Sequence, residues 1–173
     1  IPLALWVLLG NRWTLLPRLP WISGILLCLV LTLPWYVAAE LKTPGFLAYF
    51  IIGEHVQRFL ESGWQGDLYG SGHAQPAGMI NLHWLGALFP WSLYIPFLLL
   101  RPQSVRESFS ADSDGWLSYL ALWAGSPLLL FSPAANIVPA YVLPGMAPAV
   151  LLLVALWSDL FGWAGRTLRV AFI

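Results

Sequence analysis

The feature that most constrains the fold of this chain is an uncharged, largely apolar run from Trp21 to Ala39. A helix needs about 20 apolar residues to cross the hydrocarbon core of a bilayer, and this run is long enough. Trp21 lies at one end and Trp35 and Tyr36 lie near the other, where aromatic rings favour the membrane interface. The run therefore predicts a transmembrane helix.

Three further apolar segments have the same character, at about 77–100, 116–131 and 141–157, and we expect Pro127 to interrupt the second of them. The chain is 59% hydrophobic and 9% charged, whereas a soluble domain carries roughly 25% charged residues. Little of its surface can therefore face water. We predict an all-α, polytopic transmembrane helical bundle that forms a single membrane domain.

Both ends of the chain are apolar runs that are too short to cross a bilayer. The first is Ile1 to Gly10, and the last closes the sequence as RVAFI. The opening run lacks the basic residues of a signal peptide. We therefore expect a fragment of a longer polytopic protein, cut through a helix at each end.

The arginines predict the orientation of the chain. Alternate connectors carry them in pairs: Arg12 and Arg18, Arg101 and Arg106, and Arg166 and Arg169. Because positively charged connectors stay on the cytoplasmic side, the segments 40–76 and 132–140 are predicted to face outward. The net charge is zero, which argues against a nucleic-acid partner because no basic surface would neutralise phosphates.

The segment 40–76 holds most of the polar groups that could support chemistry. Thr43 followed by Pro44 is typical of a helix start. From Phe46 to Glu61 the polar residues recur at helical spacing, which predicts an amphipathic helix lying in the membrane interface. Glu54 and Arg58 are spaced to form an ion pair on that helix. The glycines that follow predict a flexible polar loop over 62–73.

Two interpretations of this helix remain open. Glu54, His55 and Arg58 would suit an anionic head group held directly or through a metal, since histidine and carboxylate are ordinary metal ligands and arginine forks onto phosphate. The plainer interpretation is a solvated helix face whose charges pair with each other, and the chemistry alone favours it.

Other polar and aromatic residues also have two interpretations. His73 is either a polar group beside a lipid head group or an ordinary loop histidine before a helix-starting proline. His83 is predicted to be a buried, hydrogen-bonded histidine or to line a groove. Trp64 and Tyr69 could stack on a sugar ring.

Four ordered segments resemble one known family. They are LPWYVAAELKTPGFLAYFIIGEHVQRFL at Leu33–Leu60, HAQP at His73–Pro76, LFPWSLYIP at Leu88–Pro96 and PAYVLPGMAP at Pro139–Pro148. In order and spacing they resemble the C-terminal part of the membrane domain of lipid-carrier-dependent GT-C glycosyltransferases. That family includes the bacterial aminoarabinose transferases acting on lipid A and the protein mannosyltransferases.

The resemblance implies a function. Such enzymes sit in the bacterial inner membrane, take a sugar from a polyprenyl-phosphate carrier, and pass it with inversion to an outer-face acceptor such as lipid A or protein. Their acidic general base lies in a first outer loop that this chain does not contain, so we expect no catalytic residue in this fragment. Membrane lipids are the remaining partner that the resemblance implies.

The resemblance also implies site residues. His55 is the candidate ligand of a divalent metal, and Arg58 the candidate contact to the carrier phosphate, with Glu54 and His73 as weaker candidates. The family usually has a lysine shortly before the tyrosine of its Y-x-L-P motif. Here the residues before Tyr141 are uncharged, and Asn136 is the one among them expected to hydrogen-bond a phosphate.

Two other classes of protein compete with an enzyme. A non-catalytic membrane protein of the same fold would bind a lipid-linked sugar or scaffold an envelope complex, and the missing lysine favours it slightly. A transporter is the third hypothesis, but no predicted span carries the paired charges that mark an ion path.

Overall fold

A computed structural model of the chain describes residues 1–66 and 73–157. Over these ranges the chain is helical, with one isolated β-bridge between Ala74 and Asn136. The predicted all-α class is confirmed. The predicted loop residues Asp67 and Tyr69, and the arginine connector with Arg166 and Arg169, lie outside the described residues.

The helices follow one another closely along the chain. In order they are α1 (Pro2–Leu9), a 3-10 helix (Trp13–Arg18), α2 (Trp21–Lys42), α3 (Phe46–Ala48), a π-helix (Tyr49–Gln57), α4 (Arg58–Leu60), α5 (Met79–Ala87), a 3-10 helix (Trp91–Tyr94), α6 (Ile95–Leu99), α7 (Pro102–Ala111), α8 (Trp116–Phe131), a 3-10 helix (Pro139–Val142) and α9 (Leu143–Ala155). The hydrophilic connector predicted after residue 100 is thus largely helical, as α7.

The chain divides into two compact units. Among the described residues, the first unit contains Ile1–Asn11, Gly78–Ser132 and 139–157, and the second unit contains residues of Arg12–Ala77 and Pro133–Val138. Each unit is described by itself below. That the whole chain forms a single membrane domain stays a prediction.

One described helix, α2, is by itself long and apolar enough to cross a membrane, and none of that helix is buried. It covers the span predicted from Trp21 and continues for three residues beyond Ala39 to Lys42. The predicted spans at 116–131 and 141–157 are apolar helices that are shorter than a full crossing. A bundle that crosses the membrane several times therefore stays a prediction.

The segment 77–100 is not the continuous helix that we predicted. The apolar helices Met79–Ala87 and Trp91–Leu99 meet at a bend of 102°. Pro90 lies at this bend. Proline ends a helix because it has no N–H to donate and because its ring clashes with the carbonyl of the preceding turn.

The expected interruption of α8 at Pro127 is wrong, since the helix runs unbroken from Trp116 to Phe131. Proline at this position removes the N–H that would bond the carbonyl of Trp123. The hydroxyl of Ser126 donates to that carbonyl instead, at 2.9 Å. Such a side-chain replacement lets an apolar helix tolerate proline.

The core of the first unit lies between α5, α8 and α9. Leu88, Ala124, Ala149 and Leu153 are buried together there. The indole of Trp84 donates to the Ala124 carbonyl at 3.0 Å, so the ring is both packed and hydrogen-bonded. The α1 helix joins this unit through Trp6, whose indole donates to the Gly115 carbonyl at 2.8 Å.

The closest approach in this core is at Gly145 of α9. A Cβ placed on Gly145 would lie 2.7 Å from the Ala124 carbonyl oxygen and 3.1 Å from Pro127 Cγ. Since the nearest atom belongs to backbone, it has little freedom to move away. The packing of α9 on α8 therefore requires glycine at this position.

We predict that Gly145→Ala destabilises the protein by about 1–3 kcal/mol, the usual range for overpacking a close-packed interior. Thermal unfolding of the full-length protein in detergent, followed by circular dichroism, measures this effect. Gly125→Ala on α8 is the matched control, because no atom lies within 4 Å of the added Cβ, and it should be neutral or mildly stabilising. Equal melting temperatures for the two variants would contradict the predicted clash.

Candidate functional site

The turn that leads from α2 into the next helix is held by Glu40. Its carboxylate accepts hydrogen bonds from the backbone N–H of Gly45 at 2.9 Å and of Leu47 at 2.8 Å. Gly45 precedes α3 and has a φ of 93°, a conformation that glycine adopts without strain. The helix therefore begins after Gly45, and the prediction of a start at Thr43 and Pro44 is wrong.

The segment from Phe46 to Leu60 is helical, as predicted, but its centre is the nine-residue π-helix Tyr49–Gln57. A π-helix bonds each residue to the fifth one along rather than the fourth, and it is found often at functional sites. Two side-chain contacts in this segment join residues five apart, Tyr49 with Glu54 and Phe50 with His55. A regular amphipathic α-helix would not bring these pairs together.

The carboxylate of Glu54 lies between two donors. The Tyr49 hydroxyl donates to Oε1 at 2.5 Å, and Arg58 donates to Oε2 at 2.7 Å. The side chains of Arg58 and Glu54 are 20% and 18% exposed, so the pair is partly screened from water. The predicted Glu54–Arg58 pair is therefore confirmed, and Tyr49 is a third member that spacing arguments based on the α-helix missed.

His55 lies apart from this ion pair and is exposed. Its Nδ1 is 2.7 Å from the Phe50 carbonyl oxygen, and its ring centroid is 4.8 Å from that of Phe50. Since a carbonyl only accepts, Nδ1 carries a proton, and in the neutral imidazole the lone pair is then on Nε2. A metal-binding histidine commonly donates its other N–H to a carbonyl in this way.

No three His, Cys, Asp or Glu side chains gather within residues 1–66 and 73–157 in a manner that could hold a metal ion. The described residues therefore do not form a complete metal site. The arrangement fits His55 as a single ligand. The prediction of a metal at His55 stays a prediction.

Trp64 is buried rather than offered to a ligand. It is 8% exposed, and its ring lies over the π-helix, 6.3 Å from the ring centroid of Tyr49 and nearly parallel to it. A Cβ on Gly53 would lie 3.0 Å from Trp64 Cζ2, so Gly53 makes room for the indole. The hypothesis that Trp64 stacks on a sugar does not fit this packing.

Asn136 is a buried polar side chain at the centre of the second unit, with 4% exposure. Its Nδ2 donates to the carbonyl oxygens of Arg58 and Glu61, both at 2.6 Å. Its Oδ1 accepts from the N–H of Gly63 at 2.9 Å. Both amide hydrogens are therefore given to backbone carbonyls, and the structure places Asn136 in a structural role rather than in the predicted role of phosphate donor.

The backbone on either side of Asn136 extends the same network. The N–H of Ala135 donates to the Phe59 carbonyl at 2.9 Å, and the N–H of Ile137 donates to the His73 carbonyl at 3.0 Å. The segment Pro133–Val138 thus contacts both the end of α4 and the start of the HAQP motif. Three parts of the chain that are distant in sequence meet here.

His73 joins the network through its carbonyl, while the residue is exposed. His83 lies elsewhere, on α5 in the first unit, and is half-buried. Its Nε2 is buried and has no hydrogen-bond partner within the described ranges. The interpretation of His83 as a buried, hydrogen-bonded histidine therefore does not hold at Nε2, and the alternative that it lines a groove stays a prediction.

Comparison with known proteins finds relatives over nearly the whole chain. Over 166 residues the chain is 33% identical to undecaprenyl phosphate-alpha-4-amino-4-deoxy-L-arabinose arabinosyl transferase of Edwardsiella ictaluri, covering 95% of this chain and 28% of the relative. Over 168 residues it is 34% identical to the protein of the same name from Enterobacter sp. strain 638, covering 95% of this chain and 27% of the relative.

A third relative is undecaprenyl phosphate-alpha-4-amino-4-deoxy-L-arabinose arabinosyl transferase 1 of Pseudomonas fluorescens strain Pf0-1. It is 33% identical over 150 residues, covering 85% of this chain and 24% of the relative. The chain spans about a quarter of the length of the curated relatives it matches. No protein-family model matches the chain, and no solved structure matches it.

The packing of Trp64 on Gly53 generates a testable prediction. Gly53→Val should displace the indole and destabilise the protein by about 1–3 kcal/mol, as overpacking does. Gly24→Val is the matched control on α2, because no atom lies within 4 Å of a Cβ at Gly24. Thermal unfolding of both variants in detergent measures the difference, and a Gly53→Val protein as stable as Gly24→Val would show that Trp64 is not anchored there.

Proposed function

We propose that this chain is part of a membrane glycosyltransferase. Over nearly its whole length, the chain belongs by sequence with the undecaprenyl phosphate-aminoarabinose arabinosyl transferases. This match confirms the resemblance seen in its motifs. Its donor would be a sugar linked to a polyprenyl phosphate. The observation that carries this proposal is identity of 33% across 95% of the chain.

The second unit supports a site on one face of the membrane. It contains 40–76 and most of 132–140, the two segments that the arginine pattern predicts to face outward. Backbone hydrogen bonds join them, from Ala135 to Phe59 and from Ile137 to His73. Two outer loops must share a face to make such contacts. We infer that the protein resides in the bacterial inner membrane, with the Arg58 region on the outer side.

The ion pair of Arg58 and Glu54 supports a role in handling the carrier phosphate. A guanidinium presents N–H donors in a fork that matches phosphate oxygens. Transfer of the sugar leaves charge on the carrier phosphate, and a cation placed there stabilises the developing charge. We propose Arg58 as the phosphate contact, with Glu54 and the Tyr49 hydroxyl orienting its guanidinium, and His73 close to the same network through its backbone.

The acceptor and the stereochemistry extend this proposal. We propose lipid A or protein at the outer face as acceptor and inversion at the sugar carbon, as the family resemblance implies. The general base would come from the full-length enzyme outside residues 1–173. A divalent metal, when bound, would neutralise phosphate charge, and His55 would contribute one ligand through Nε2. We assign no step to that metal, since the described residues form no complete site for it.

A non-catalytic protein that binds a lipid-linked sugar is the second candidate. The observation favouring it is that the residues just before Tyr141 are uncharged and serve the fold: Asn136 and Ile137 are both buried, at 4% and 0% exposure. This protein would bind the carrier lipid but never release carrier phosphate. The assay below separates the two candidates.

The test uses full-length protein in lipid vesicles with undecaprenyl phosphate-linked aminoarabinose and lipid A. Released undecaprenyl phosphate and modified lipid A are measured by mass spectrometry. We expect transfer by the wild type and a loss of about tenfold or more in Arg58→Ala, since hydrogen bonds to charged groups contribute about 1.5–3 kcal/mol. Arg106→Ala on exposed α7 is the control and should transfer normally. Carrier binding without phosphate release by the wild type would support the non-catalytic candidate.

A separate measurement addresses the metal. We expect His55→Ala to lower the amount of divalent metal that copurifies with the full-length protein, measured by elemental analysis, because it removes one ligand. His83→Ala is the control, since His83 lies in the other unit. Equal metal content in the wild type and in His55→Ala would exclude His55 as a ligand.

A further inference from the structure

We propose that Asn136 is a positioning residue of the carrier-phosphate site, acting through the backbone of Arg58; this inference rests on the proposed function. The sequence suggested that Asn136 touches phosphate itself. The geometry points instead to a clamp, which is the set of hydrogen bonds from the Asn136 side chain to the backbone of Arg58, Glu61 and Gly63. The clamp fixes the position of the Arg58 backbone. The side chain of Asn136 contacts no part of a ligand in this role.

The first argument is that the end of α4 needs an external partner. The last carbonyls of a helix have no N–H partner within the helix, so those at the end of α4 need donors from elsewhere in the chain. At Glu61 the backbone turns to an extended conformation, with φ −99° and ψ 116°. The amide of Asn136 donates to the carbonyls of Arg58 and Glu61 across 78 and 75 residues of sequence, and the Glu61 carbonyl also accepts from the N–H of Trp64 at 3.3 Å.

The second argument is that the site requires an asparagine in particular. Three backbone groups converge on one buried side chain, two carbonyls that accept and one N–H that donates. A primary amide offers two donors and an acceptor, so it satisfies all three groups. Aspartate would face two carbonyl oxygens with a carboxylate, and an apolar residue would take the amide partner from all three backbone groups, which is costly in a buried position.

The third argument concerns what the clamp connects. Arg58 is held at its carbonyl by Asn136 and at its guanidinium by Glu54, so both ends of the residue are fixed. The neighbouring residues of Asn136 bond Phe59 and His73. The clamp therefore sets the position of Arg58 relative to the HAQP segment, and both segments carry residues of the proposed site.

The experiment compares Asn136→Ala with Asn81→Ala in the full-length enzyme. Asn81 is exposed and donates locally to the Gly78 carbonyl at 2.9 Å, so its loss is a matched control. We expect Asn136→Ala to raise KM for the undecaprenyl phosphate-linked sugar by about tenfold, with kcat changed less. A change of this size is what the loss of buried hydrogen bonds would produce. A merely structural role would lower the amount of folded enzyme and leave KM unchanged, which would overturn the proposal.

A double-variant cycle shows whether the effect passes through Arg58. In an Arg58→Ala background, Asn136→Ala should raise KM little further, because the group being positioned is absent. An undiminished effect in that background would overturn the proposal. Asn136→Ser is the second variant should Asn136→Ala not fold, since its hydroxyl can still bond one of the three groups, and the same KM criteria apply to it.

The outcomes distinguish this inference from the proposed function. If Arg58→Ala leaves KM and transfer at wild-type values, the assignment of Arg58 to the phosphate is wrong, and the role of Asn136 falls with it. If Arg58→Ala weakens transfer while both Asn136 variants keep the wild-type KM, the proposed function stands and only the positioning role is overturned.

Discussion

The second unit depends on a single buried amide. Helices end with carbonyls that have no partner, and a buried carbonyl without a hydrogen bond is costly. Asn136 relieves that cost for the end of the Arg58 helix and for the turn at Gly63 together. Without it the helix end and the turn would lose the hydrogen bonds that hold them to the segment Pro133–Val138, whose backbone also bonds the HAQP segment at His73.

Pro90 and Pro127 in the first unit show why proline in an apolar segment can have different effects on a helix. Pro127 leaves α8 intact because Ser126, next to it, supplies a hydroxyl to the carbonyl that lost its partner. Pro90 coincides with a break of 102°. The segments 77–100 and 116–131 were both predicted from their apolar character alone. That character does not show whether a neighbouring side chain replaces the hydrogen bond that proline removes. The bend within the predicted span at 77–100 could not be predicted for this reason, and the span itself stays a prediction.

The candidate site was partly predictable. Glu54 and Arg58 stand four apart, and helical spacing was enough to pair them. Tyr49 was missed because its contact depends on π-helical geometry, for which the sequence gives no clear signal. The role of Asn136 was missed because its partners are backbone atoms more than 70 residues away. The helix start was misplaced because a Glu40 carboxylate, rather than the Thr43 hydroxyl, binds the free N–H groups.

The π-helix has a consequence for how the site tolerates changes in chain length. Relative to an α-helix, a π-helical turn accommodates one additional residue. Deleting one residue within Tyr49–Gln57 would remove that additional residue and let the segment close as an α-helix, so the residues after the deletion would keep nearly the same face. The same deletion in a regular α-helix would turn everything after it by about 100°. Arg58 would therefore stay on the side of the helix on which Tyr49 lies only if the residue is lost from the π-helical turn.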